Sequence, residues 1–287
     1  MSIVQSFLQK RRQRPSLVTP AGEMAFVDHI EELRWHIIRS LIAIIVCAVV
    51  VFFNIEKIFD AVILGPANPN FVTYKVMCRL AATTGLDALC LKDIKIQFQN
   101  TELSGQFMMS FTTSFMIGFI VSFPYIFWEF WRFVRPALRQ QELQYAKGIV
   151  FWSSILFFLG VAFAYFVIAP FTINFFAGYQ LSPRFQNIIT MANYYGTMTD
   201  LVMGIGLVFE LPVVVFFLSR VGLLTPRIMR SQRRYAVVVI LVLAAVITPP
   251  DWFSIWLVAI PLWALYEISI GISARSEKAR IRRDLMS

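Results

Sequence analysis

Six apolar stretches interrupted by short charged segments constrain this chain more than any motif in it. They cover about 36–53, 106–131, 148–169, 196–218, 235–248 and 252–272. A helix rises 1.5 Å per residue, so about 20 residues cross the roughly 30 Å hydrocarbon core of a bilayer. Lipid offers no hydrogen-bond partner, so a crossing segment must pair its own backbone groups, and unbroken hydropathy selects helices for that task. The predicted fold class is an all-α integral membrane protein with six transmembrane helices, a single membrane domain over residues 1–287. Composition agrees: 58% of residues are hydrophobic and 15% charged, against about 25% charged in soluble domains.

An even number of crossings puts both termini on one side, and Lys and Arg select the side. Of the 26 basic residues, 20 fall within 1–39, 129–148, 219–234 and 273–287, all on one face of this topology. The opposite face holds Lys57, Lys75, Arg79, Lys92, Lys95 and Arg184. The positive-inside rule then predicts cytoplasmic N and C termini, with basic cytoplasmic tails at 1–25 and 273–287 and a long periplasmic loop at 54–104. The net charge of +9 is thereby a topology signal, and no nucleic-acid partner is expected. Residues 1–25 do not read as a cleavable signal peptide, because Lys10, Arg11, Arg12 and Arg14 precede no immediate apolar run.

The fifth stretch is short, about 21 Å of helix for its 14 residues. The sixth carries Pro261 midway and also reads as short. A short helix leans on its neighbours or creates a thinned, wet region; the sequence leaves both open. Glu210 lies ten residues before Arg220, about 15 Å deep, where an ionised carboxylate costs at least about 2.5–3.5 kcal/mol. It must bond a neighbouring helix or serve a partner or cavity. Asp200 reads as solvated at the outer interface. Glu129 and Glu267 read as solvated or paired near the inner interface, beside Arg132 and Arg275. Cys78 and Cys90 share the long outer loop and are candidates for a disulfide; Cys47 sits in the first span. His29 and His36 form no cluster with cysteines, so neither a metal site nor a cofactor is expected.

Five blocks in order carry a family resemblance. Phe26-Val27-Asp28-His29-Ile30-Glu31-Glu32-Leu33-Arg34 leads into the first helix. Ser122-Phe123-Pro124 runs through Trp131, Phe133 and Pro136-Ala137-Leu138 to Glu142. Phe163-Ala164-Tyr165-Phe166-Val167 with Pro170, Gly206 to Glu210-Leu211-Pro212, and Thr248-Pro249-Pro250-Asp251 follow. Together they resemble the TatC family, from residue 26 to about 270. The resemblance implies a TatC-like fold and a non-enzymatic receptor in the cytoplasmic (inner) membrane of a bacterium. It would bind twin-arginine signal peptides of folded cargo and work in an oligomeric complex with TatA- and TatB-type single-span partners, driven by the proton-motive force. It implies signal-peptide-binding roles for Glu32, Glu142, Arg34 and Phe133. Helix-packing or partner-binding roles fall to Pro124, Tyr165, Glu210, Pro66 and Asp251. The long first outer loop, its cysteine pair, Leu143 and Gln144 after Glu142, and Asp200 all depart from the family pattern.

Local chemistry accommodates those roles. With residues 29–39 helical, Asp28 is a candidate N-cap and Glu31 pairs with Arg34 three residues on, leaving Glu32 available to an outside cation. Glu142 has Arg139 as a competing local partner. Phe26, Ile30, Leu33 and Ile37 share one face, predicting a segment along the membrane interface. Carboxylates suit arginine because the planar guanidinium offers two parallel hydrogen bonds, which lysine cannot copy. Exposed ion pairs contribute only about 0.2–1 kcal/mol each, whereas micromolar binding needs about 8 kcal/mol. Arginine reading therefore supplies specificity, and the guest's apolar segment, lying against membrane helices around Pro124 to Phe133, supplies affinity.

An alternative reading is a proton- or ion-coupled secondary transporter of small solutes, which also uses buried carboxylates and broken helices. Such folds carry internal repeats, and the two halves here differ in loop length and motif. No GxxxxGK[ST] phosphate loop is present, and no histidine lies at mid-membrane depth to activate a serine.

Overall fold

The computed structural model describes residues 26–85, 96–135, 148–182, 184, 187–249 and 252–284. Glu142, Asp251 and Cys90, each singled out from the sequence, lie outside them.

Helix α1 runs Phe26–Phe52 without interruption. One expectation changes here. The helix starts before Asp28, which is therefore in the first turn and not the N-cap. Residues 26–37 are continuous with the span, because no Gly or Pro breaks the run. The outer region expected as a loop has structure of its own: α2 (Ile55–Ile58), a π-turn at Phe59–Ile63, a 3-10 turn at Gly65–Ala67 and α3 (Val72–Thr84). Strand β1 (Phe98–Gln99) follows, and it later pairs in parallel with β2 (Ile189–Thr190), stitching two outer connections together.

Helix α4, Gly105–Val134, has 30 residues, about 45 Å at helical rise. Helices α5 (Ile149–Phe163) and α6 (Ala169–Gly178) are joined through a π-turn at Ala164–Ile168, making one apolar run of 30 residues. The expected end near residue 169 is thus passed. Pro170 lacks the N–H that would bond the Phe166 carbonyl, and the Thr73 hydroxyl donates to that carbonyl instead, at 2.5 Å. A freed acceptor in lipid is costly; the outer region supplies its donor.

Helices α7 (Met191–Val208) and α8 (Leu211–Val221) form the next crossing, interrupted at Phe209–Glu210. The cause is Pro212, which sits in the first turn of α8 and cannot donate back to Val208. A short α9 (Pro226–Ser231) leads to α10 (Arg233–Ile247), whose 15 residues match the short fifth stretch. Helix α11 spans Trp252–Asp284. Its apolar part is Ser254–Arg275, 22 residues, so the sixth helix is not short. The expected tail continues as helix through Asp284 because residues 273–284 are rich in Ala, Arg, Glu and Lys with no Gly or Pro to stop it.

Among the described residues, five helical segments are long and apolar enough to cross a membrane, with α10 falling short. The molecule is a multi-pass helical membrane protein. Small residues set its helix spacing, as expected where lipid removes the hydrophobic drive between helices. A Cβ on Gly118 would lie 2.8 Å from the Ala48 backbone nitrogen, so α1 and α4 touch at the backbone. Gly160 and Gly206 bring α5 and α7 equally close. Phe123 stacks on Phe157 at 3.6 Å between centroids. The main core gathers Ile168, Leu201, Ile205, Leu262 and Ala244 from three helices and the π-turn.

Candidate functional site

Two polar constellations interrupt this apolar body. The first lies at the basic end, where the start of α1 meets the end of α4. Glu129 projects from α4 and is only 1% exposed, so of the two placements the sequence left open, solvated or paired, it is the paired one. Removing a carboxylate from water costs several kcal/mol unless partners replace the lost hydration. Here they do: the His36 Nδ1–H donates to Oε2 at 2.5 Å, and the Tyr125 hydroxyl donates to Oε1 at 3.0 Å. Arg132 reaches Oε1 at 3.4 Å and Arg39 reaches Oε2 at 3.9 Å. His36 also lies edge-on to Phe133, 6.3 Å between centroids.

Glu32 stands at the mouth of this seam with its side chain 40% exposed, and His36 Nε2 is 3.9 Å from its Oε1. Arg34 pairs with Glu31 at 3.4 Å, the spacing read from sequence, and its guanidinium also sits over Trp35 at 5.6 Å. His36 thus touches both Glu32 and Phe133, whereas Arg34 is exposed and engaged by Glu31 and Trp35. Sequence reasoning missed Glu129 and His36. Two signals were present: His36 is one turn beyond Glu32, and Glu129 follows Tyr125 and precedes Arg132 at helical spacing.

The second constellation is the break between α7 and α8. Glu210 is 9% exposed there. Its backbone carbonyl accepts from Val213 and Val214 at 2.9 and 3.1 Å, starting α8, while its side chain turns to α5. The Ser153 hydroxyl donates to Oε2 at 2.7 Å, and Oε1 has no hydrogen-bond partner among the described residues. A groove of about 340 Å³ between α5 and α8 is lined by Trp152, Leu156, Pro212 and Val213, neighbours in sequence of Ser153 and Glu210.

The remaining candidates belong to the opposite end of the bundle or to packing. Tyr165 donates to the Val62 carbonyl at 2.6 Å, Tyr194 to that of Ile63 at 2.6 Å and Tyr74 to that of buried Pro66 at 2.6 Å. Tyr165 and Tyr194 thereby clamp the turn after α2 onto the bundle, and Tyr74 ties it to α3. Burial pushes the Tyr74 hydroxyl up to about 12. Pro124 is half-buried in α4. Cys78 is disulfide-bonded and Cys47 is free. Asp200 is exposed, and Glu267, read from sequence as solvated or paired, pairs with Arg233 of α10 at 2.8 Å. No group of three or more His, Cys, Asp or Glu suited to a metal occurs among the described residues.

Comparison with known proteins gives a consistent picture. The family model described as "Sec-independent protein translocase protein (TatC)" matches residues 28–261. The Sec-independent protein translocase protein TatC of Blattabacterium sp. subsp. Periplaneta americana is 38% identical over 254 residues, covering 88% of this chain and 96% of that protein. The corresponding protein of Desulforapulum autotrophicum is 34% identical over 250 residues, 87% of this chain and 84% of its own length. Among solved structures, the twin arginine translocase receptor TatC crystallised in DDM superposes with a TM-score of 0.68 at 28% identity, covering 85% of this chain and 99% of that one.

Proposed function

The chain belongs to the TatC family of Sec-independent protein translocase proteins, and from that premise we propose that it is the signal-reading core subunit of a twin-arginine translocase. It spans the cytoplasmic membrane six times with both termini inside. At its inner face it binds the twin-arginine signal peptides of folded cargo, and with TatA- and TatB-type partners it exports that cargo using the proton-motive force.

The observation that carries this reading is Glu32: a carboxylate with a half-exposed side chain at the basic end, linked through His36 to Phe133 in the α1–α4 seam. It is accessible to a guanidinium, unlike Glu129, and the apolar flank of α4 beside it suits a hydrophobic guest segment. Exposed Trp128 and Phe130 lie on that helix. Glu142 is proposed as the second arginine-reading carboxylate on motif grounds. The orphaned oxygen of Glu210 and the adjoining groove suit a polar group on a partner helix.

The test is complementation of a translocase-deficient strain, scored by export of a folded reporter. The wild-type chain restores export, and Glu32→Ala with Glu142→Ala abolishes it while leaving membrane levels intact. Full export by the double variant overturns the assignment of the two carboxylates. Failure of the wild-type chain to restore export together with solute uptake by the purified protein favours the transporter alternative.

A further inference from the structure

Glu32 as a reader of arginine poses a geometric problem. A glutamate side chain at a half-exposed position has several rotatable bonds, and a bidentate fork needs both oxygens presented in one plane. A site of that kind works when surrounding groups hold it in place. Around Glu32 the structure offers one chain of contacts that does so. His36 lies one turn further along the same face of α1, with Nε2 at 3.9 Å from Glu32 Oε1. The imidazole is held from behind by Glu129 at Nδ1 and by the edge of Phe133. Glu129 is held in turn by Tyr125 and Arg132. When one ring nitrogen is committed, the role and direction of the other are set; in the imidazolium form both nitrogens donate, Nδ1 to Glu129 and Nε2 toward Glu32.

Charge balance alone does not require this arrangement. Arg39 and Arg132 already stand within 3.9 and 3.4 Å of Glu129. The histidine nevertheless makes the shortest contact and is the one partner of Glu129 that also faces Glu32. We propose that His36 and Glu129 are positioning residues for guest recognition, holding Glu32 so that a carboxylate edge meets the incoming guanidinium. The inference rests on the reading of Glu32 as an arginine-binding group.

The experiment measures equilibrium binding of a labelled twin-arginine signal peptide and its twin-lysine counterpart to the full chain in detergent. Glu32→Ala is the reference. His36→Asn places an amide where Nδ1 was, keeping a donor to Glu129 but losing the reach to Glu32; His36→Gln extends an amide to where Nε2 was. Both keep a polar group in the pocket, and elution as a monodisperse peak verifies folding. The expected result is a weakening of twin-arginine binding by His36→Asn of about twofold to fivefold, on the order of one partly exposed ion-pair contact. Twin-lysine binding is little changed, so the preference collapses, and His36→Gln restores most of it. In the Glu32→Ala background His36→Asn has no further effect, the non-additivity expected of coupled residues. Glu32→Ala weakening the peptide while His36→Asn keeps the wild-type preference overturns the inference and leaves the reading of Glu32 standing. Equal losses with and without Glu32 overturn it too, since they mark a merely structural histidine. Unchanged binding by Glu32→Ala removes the reading itself and the inference with it.

Discussion

Glu129 shows how a single side chain is tolerated where it is costly. Its carboxylate is enclosed by His36, Tyr125, Arg132 and Arg39, so each partner makes the others affordable in a low-dielectric setting. Glu129→Leu leaves the His36 donor without its acceptor and is expected to lower stability by about 1–3 kcal/mol, the usual cost of an unsatisfied buried polar group. Glu129→Gln, which keeps an acceptor oxygen, loses less. Unfolding in detergent, followed by tryptophan fluorescence, separates the two. A second residue-scale expectation concerns Tyr74, which lies outside the apolar spans. Its folded pKa of about 12 exceeds the ordinary 10.0, so the neutral phenol, donating to Pro66, is favoured by folding. That stability is fully present below pH 10 and is lost as pH rises toward 12. Tyr74→Phe removes this component of the alkaline loss, which phenolate absorbance of the two proteins compares directly. At this scale the sequence disclosed pairs within one helix, such as Glu31 with Arg34. It did not disclose that Glu129 is buried, because its main partner His36 is 93 positions away on another helix and helical spacing says nothing about which helix covers which.

Proline and glycine govern the elements. Pro170 does not end its helix, because a π-turn precedes it and Thr73 serves the freed Phe166 carbonyl. Pro212 does interrupt its crossing, and the break is what turns Glu210 toward Ser153. Gly118 allows α1 and α4 to meet at the backbone, so Gly118→Val is expected to force them apart. The predicted loss is about 1–3 kcal/mol, as for other overpacked sites, with faster labelling of Cys47, which sits beside Ala48 on α1. Wild-type labelling and unfolding would contradict the close approach. Element existence was legible from hydropathy, including the short α10, since lipid imposes a length that a sequence displays directly. Helix ends were less legible: α11 runs on to Asp284 and the outer loop contains α3 because tertiary partners and propensity, not hydropathy, decide there.

At the scale of the whole molecule, Arg39, Arg132 and the Glu32–His36–Glu129 seam share one end of the bundle, and the tyrosine clamp and β1–β2 pair occupy the other. This polarity was legible from Lys and Arg placement alone. The seam itself required the helices to be assembled. The account's central claim is that the guest's two arginines are read at the basic end, against α1 and α4. Photo-crosslinkers placed beside the twin arginines of a signal peptide test it most directly, with the crosslinked residues mapped by mass spectrometry. The account predicts adducts within residues 31–36 and 129–135, lost when the arginines are replaced by lysines. Adducts confined to α3 and the turn after α2, or adducts indifferent to the arginines, would contradict it.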